Sequence, residues 1–166
     1  FIVVPALLIN AWFVSREVKA ATAFGGGQVV SVSGPDLNVR EYGSGPEKGA
    51  IVLLHGYASS IEWWGDVAPK LADETDRRVI AIDLIGHGGS ESPRDPAAYG
   101  ALGQAQAVTR VLNKLGADDV VLVGHSMGGH IATYIAQREG NLVSKVAVID
   151  TFGAPGLRDL GPLKSI

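Results

Sequence analysis

The chain has 166 residues, 46% of them hydrophobic and 19% charged, and carries a net charge of -3; this is enough apolar material for the core of one domain. A balance so near neutral, without a lysine-arginine run, offers a nucleic-acid backbone nothing to bind, so no nucleic-acid partner is expected. The absence of cysteine removes disulfide frameworks, thiolate zinc sites and cysteine nucleophiles together, while leaving the compartment open.

From Phe1 to Val14 the chain is apolar apart from Asn10, and charge returns only with Arg16, Glu17 and Lys19. As a helix this run reaches about 21 Å, short of the roughly 30 Å of a bilayer's hydrocarbon core, so it does not cross a membrane alone. We read residues 1–24 as the remnant of a signal peptide or signal anchor with its linker. Ala21-Thr22-Ala23 loosely matches a small-residue cleavage site, and the run precedes the glycines at 25 to 27. The competing reading is a buried N-terminal helix. The first reading implies a membrane-anchored or exported protein, with membrane association through this segment.

Residues 25–166 read as the domain proper. Gln28 to Ser33 and Leu37 to Tyr42 alternate as half-buried strands do, and Gly34-Pro35-Asp36 between them predicts a hairpin turn. Ala50 to Leu54, Val79 to Ile82, Val120 to Val123 and Val143 to Ile149 are instead nearly continuous apolar runs, as expected of parallel strands buried on both faces. Helices are predicted between them. Ile61 to Glu74 places Trp64, Val67, Ala68 and Leu71 on one side, Leu102 to Leu115 places Leu102, Ala105, Val108, Leu112 and Leu115 at helical spacing, and Met127 to Arg138 is the third. The alternation predicts an α/β fold with a doubly wound, mostly parallel sheet.

The chemistry gathers at strand ends. Val120 to Val123 runs into Gly124-His125-Ser126-Met127-Gly128, and a helix follows, which is the strand-to-helix setting of a Gly-x-Ser-x-Gly nucleophile elbow. The two glycines make room for a sharp turn that exposes the hydroxyl of Ser126, and the following helix aims its N-terminal amides at the same point. The strand at 51–54 ends in His55-Gly56-Tyr57, where the Tyr57 amide turns back toward Ser126; with the amide of Met127 it forms a two-donor oxyanion hole. Asp83-Leu84-Ile85-Gly86-His87-Gly88-Gly89-Ser90 follows the next strand at the same rim, where open α/β sheets bind ligands.

His55-Gly56, the Gly-His-Gly-x-Ser core of the 83–90 loop and Gly-His-Ser-Met-Gly-Gly together resemble the α/β-hydrolase fold family, in its esterase and lipase branch, from about Gln28 onward. The resemblance implies eight strands, an acid after strand six or seven and a histidine after strand eight. The chain is accordingly expected to be an N-terminal portion that stops after about the sixth strand. It implies structural roles for His55 and His87; His125, adjacent to Ser126 on the elbow, is expected to point away from it. His130, four residues along the helix from Ser126, is the one histidine that spacing alone would promote to a base, although the rigid helix sets it beneath the nucleophile. Asp150, at the end of the sixth strand, is the one downstream carboxylate in reach of the acid's position. Asp83 is read as structural. Of Trp63 and Trp64, one is expected in the core and the other in the acyl pocket.

The expected activity is therefore that of a serine hydrolase acting on a small-molecule ester or related acyl substrate, needing no cofactor and no metal. Serine at the elbow disfavours the branches that use an aspartate nucleophile, and the lack of a Walker lysine disfavours phosphate cradling. An acyltransferase, a cofactor-free perhydrolase or a non-catalytic binding protein on the same fold are the alternatives. Because no histidine follows residue 130, the triad is incomplete and the chain by itself is expected to be inactive.

Overall fold

A computed structural model describes residues 3–14, 18–44 and 49–151. The alternating N-terminal pair forms a hairpin of β1 (Gln28–Val30) and β2 (Leu37–Tyr42). The four apolar runs become β3 (Ala50–Leu54), β4 (Arg78–Ile82), β5 (Val120–His125) and β6 (Val143–Ile149). These four are parallel, β2 joins β4 antiparallel, and the sheet order is β1-β2-β4-β3-β5-β6. All parallel strands thus end on one rim.

The buried strands keep the two-residue period beneath their continuous apolar sequence. Ile51, Leu53, Val79 and Ala81 face one side and pack with Ala68 and Ala72 of α2 (Val67–Thr75) and with Ile61 and Trp64. Val52, Leu54, Ile80, Ile82, Val120 and Leu122 face the other, against α3 (Ala101–Lys114) and α4 (Met127–Arg138). Both faces are therefore covered, as a parallel sheet requires.

Three predicted details change. The first strand stops at Val30, because Ser31 and Val32 turn to bond Asp36: the Ser31 hydroxyl donates to Oδ2 and the Val32 amide to Oδ1. The helix predicted over 61–74 is two elements, a 3₁₀ turn at Ile61–Trp64 and then α2, so Val67 is exposed rather than facing the core. In α3 the buried stripe runs through Gln104, Ala105, Val108, Val111 and Leu112, leaving Leu102 exposed. Gln104 is there for its amide: it accepts from the Ile85 N–H at 2.9 Å and donates to the Ile85 carbonyl at 3.1 Å.

The N-terminal segment divides in two. Helix α1 (Val3–Val14) exposes Val3, Val4, Leu7, Leu8, Ile9 and Trp12, so the buried-helix alternative is not what the structure has. Among the described residues no helix is long and apolar enough to cross a membrane. Residues between α1 and β1 are bonded to the domain. The Lys19 carbonyl accepts from the Ser92 amide (2.8 Å), the Lys19 ammonium donates to the Gly88 carbonyl (2.7 Å), and the Thr22 amide donates to the Gly89 carbonyl (2.8 Å). Further along, the Phe24 peptide is clasped by Asn38, whose Oδ1 accepts from its N–H and whose Nδ2 donates to its carbonyl.

Asn38 is fully buried and also donates to the Asp83 carboxylate at 2.8 Å, so one amide joins this strap to the rim. Asn38→Leu keeps the branched shape and removes all three bonds. It is expected to lower the unfolding free energy by about 2–4 kcal/mol in urea titration and to speed hydrogen exchange at the Thr22 amide. A loss well under 1 kcal/mol would show that the clasp is dispensable.

Candidate active site

Ser126 stands between β5 and α4 with φ 52° and ψ −117°, a conformation that residues with a Cβ adopt only under strain, of order 1–3 kcal/mol. Its neighbours fix it there. The Ser126 amide donates to the Ile149 carbonyl of β6 (2.9 Å), and the Ser126 carbonyl accepts from the Thr151 hydroxyl (2.8 Å) and from the amides of Gly129 and His130. With both backbone groups engaged, the side chain faces the cleft, and its hydroxyl has no hydrogen-bond partner among the described residues.

The elbow's glycines are demanded by contact. A Cβ at Gly124 would lie 2.4 Å from the Gly128 carbonyl oxygen, and one at Gly128 would lie 2.2 Å from that of Leu54. The start of α4 is thereby pressed onto the end of β3. Gly56 meets the same limit from the other side: its Cβ would stand 2.9 Å from His125 Nδ1 and 3.2 Å from the Cβ of Ser126.

The backbone after β3 thus lies directly against the serine. The amides of Tyr57 and Met127 have no hydrogen-bond partner among the described residues. A cleft of about 340 Å³ opens here, lined by Gly56, Tyr57, Ala58, Ser59, Trp63, His125 and Ser126. Tyr57 is 78% exposed, and its ring meets His87 edge-on at 5.8 Å.

Asp83 carries the rim. Buried completely at the end of β4, its carboxylate accepts from Ile61 N–H (2.7 Å), Gly89 N–H (2.8 Å) and Asn38 Nδ2, while its carbonyl accepts from the Ser90 hydroxyl at 2.6 Å. A buried carboxylate needs such donors, and these tie the 3₁₀ turn at Ile61 to the glycine loop. His55 is equally buried. Its Nε2 accepts from the Leu84 amide (3.1 Å), so that nitrogen is bare and Nδ1–H donates to the Gly56 carbonyl at 2.7 Å. Burial disfavours the imidazolium and holds its pKa below the ordinary histidine value, the Gly56 bond and the Asp83 charge opposing only in part.

The remaining predicted residues separate. Trp63 lines the cleft, 59% exposed and stacked on His125 at 5.2 Å. Trp64 does not: it is 4% exposed and packs in the core with Ile61, because three residues per turn bring 61 and 64 inward together. His125, expected to point away from the serine, lines the same cleft, and its Nδ1 is buried without a partner. His130 lies on α4 and is not part of the cleft lining. Asp150 reaches the rim beside Ser126 with φ 45° and an exposed side chain, and it forms no ion pair with a histidine among the described residues. Sequence reasoning missed Thr151, for which the only signal was its place just after the strand that must pair with the elbow. Among the described residues no group of three or more His, Asp or Glu is gathered to hold a metal.

A rim of four parallel strand ends with an elbow serine between β5 and α4 defines the class of fold, and the comparisons with known proteins agree. Residues 49–163 match the family model of the alpha/beta hydrolase fold, and the chain belongs to that family. It is 38% identical over 102 residues to the sn-1-specific diacylglycerol lipase of Mus musculus, covering 61% of this chain and 32% of that protein. To the bifunctional epoxide hydrolase 2 of Sus scrofa it is 32% identical over 145 residues, 87% of this chain and 25% of the relative. Among solved structures, a thioesterase domain from the curacin biosynthetic pathway superposes with a TM-score of 0.68 at 29% identity, over 78% of this chain and 47% of that one. The chain therefore spans a quarter to a half of the length of these relatives.

The buried neutral His55 has a consequence for stability. Its folded pKa lies below its unfolded one, so as pH falls below about 6.5 the unfolded chain binds the proton first and stability drops. Urea midpoints measured from pH 7.5 down to about 5.5 are expected to fall, and His55→Gln is expected to flatten the slope. An unchanged slope in the variant would place the linkage elsewhere.

Proposed function

We propose that this chain carries the nucleophile and oxyanion hole of a serine hydrolase acting on an ester or related acyl substrate. The observation that supports it best is Ser126 itself, strained at φ 52° and lining the cleft, with its hydroxyl and the Tyr57 and Met127 amides unpartnered among the described residues. In this reading Ser126 Oγ attacks the acyl carbon and its proton passes to a histidine base. The carbonyl becomes an oxyanion bonded by the Tyr57 and Met127 amides, and it collapses to an acyl-serine as the alcohol leaves with the proton. Water then adds to the acyl group, the base takes its proton, and Ser126 is released with the acid product.

None of the four histidines suits the base, since His55 is committed at both nitrogens and no histidine bonds the Ser126 hydroxyl. We assign the base to a histidine outside these 166 residues, in keeping with relatives of which this chain matches a quarter to a half. Asp150 stands as the candidate acid. The diacylglycerol lipase relative supports an acyl substrate. The epoxide hydrolase relative does not direct the reading, because an elbow serine disfavours chemistry that runs through an aspartate nucleophile. The exposed apolar α1 supports membrane association as a further part of the proposal, residues 1–24 being the signal or anchor remnant and linker ahead of the domain.

In the full-length protein a fluorophosphonate probe is expected to label Ser126, with labelling lost in Ser126→Ala. Tyr57→Phe is expected to keep most activity, whereas Tyr57→Pro, lacking the N–H, is expected to lose about 2.7–4 kcal/mol of transition-state stabilisation. Equal losses in the two Tyr57 variants would assign the role to the phenol instead.

A further inference from the structure

Gly56 poses a problem that the rest of the rim has to solve. It must be glycine, since a Cβ there would run into His125 Nδ1 at 2.9 Å and crowd the Cβ of Ser126 at 3.2 Å. Yet a glycine leaves the 56–57 peptide free to rotate, and the next residue but one, Ala58, already sits in the left-handed region at φ 54°. An oxyanion donor in such a segment is useful only if it is aimed before substrate arrives.

We infer that His55 is a positioning residue for the oxyanion peptide: its Nδ1–H grips the Gly56 carbonyl and thereby aims the Tyr57 N–H at the space before Ser126. The two groups belong to one planar trans peptide, so fixing the carbonyl on one side fixes the amide on the other. The imidazole is itself oriented by the Leu84 amide, which donates to Nε2 and so leaves the proton on Nδ1. Leu84 follows Asp83, whose bonds to Asn38, Ile61, Gly89 and Ser90 anchor that stretch. The His55 bond also polarises the peptide, making Tyr57 N–H a stronger donor. A histidine serving only to fill space would need neither this tautomer nor this acceptor.

The inference rests on the reading of Ser126 and Tyr57 given above. Two isosteres separate the ring's two bonds. His55→Asn sets an amide NH₂ near Nδ1 and loses the acceptor for Leu84, and His55→Gln sets a carbonyl near Nε2 and loses the donor to Gly56. With p-nitrophenyl acetate and the full-length protein, the Gln variant is expected to lower kcat about tenfold or more with KM within about twofold, part of the 10²–10³ lost when a whole donor is deleted. The Asn variant is expected to stay within about threefold of the parent in kcat. Equal losses in both variants, or the greater loss in Asn, would overturn the positioning role while leaving the serine-hydrolase reading intact. Absent turnover, or turnover that survives Ser126→Ala, would overturn that reading and this inference with it. Should a variant fail to fold, long-range ¹⁵N correlation on the parent protein reads the His55 tautomer directly; protonation at Nε2 instead of Nδ1 would overturn the proposal.

Discussion

The arrangement depends on how closely the first turn of α4 approaches the end of β3. At Gly128 the backbone comes so near the Leu54 and His55 carbonyls that a methyl group would sit 2.2 Å and 2.6 Å from their oxygens, and Gly124 pays the same attention to Gly128 from the preceding strand. Because the helix starts that close, the connecting residue has no room to relax and Ser126 is driven to positive φ. The Met127 amide then opens the helix within reach of the peptide that follows β3. The proposed nucleophile and the two proposed oxyanion donors are thus three results of one packing constraint, and a single methyl at 128 would disturb them together.

A strained turn persists only where its surroundings over-determine it. β6 supplies part of this, holding the Ser126 amide through Ile149 and its carbonyl through Thr151. The rest comes from Asp83, a buried carboxylate that spends its lone pairs on three separate segments rather than on a counter-charge. Through Ile61 it sets the turn that presents Trp63, and through Asn38 it reaches the strap at Phe24. The cleft wall and the N-terminal strap therefore share one anchor, which is why residues well outside the sheet's parallel centre matter to the site's geometry.

The parts readable from sequence are those governed by short-range rules. Buried parallel strands appear as apolar runs, and the turn at Ser126 appears as a glycine pattern between a strand and a helix, so the sheet and that turn were legible. What could not be read was set by packing over long separations. Trp63 and Trp64 are adjacent, and only the 3₁₀ winding of 61–64 decides which one enters the core. Gln104 is buried because its amide pairs with both the N–H and the carbonyl of Ile85, nineteen positions earlier, which no helical periodicity reports. Lys19, Thr22 and Phe24 fall in the stretch read as anchor remnant and linker, yet they bond the domain through backbone groups, where side-chain hydrophobicity carries no signal. His125 joins the cleft because the indole of Trp63 stacks on it.

The central claim is that the strained serine forms a covalent bond to the acyl group. The most direct measurement is to quench the full-length protein during turnover of a slowly deacylating p-nitrophenyl ester and to map the added acyl mass by peptide mass spectrometry. The account predicts the acyl mass on the peptide containing Ser126, absent in Ser126→Ala. Turnover without any adduct, or an adduct on a carboxylate such as Asp150, would contradict it.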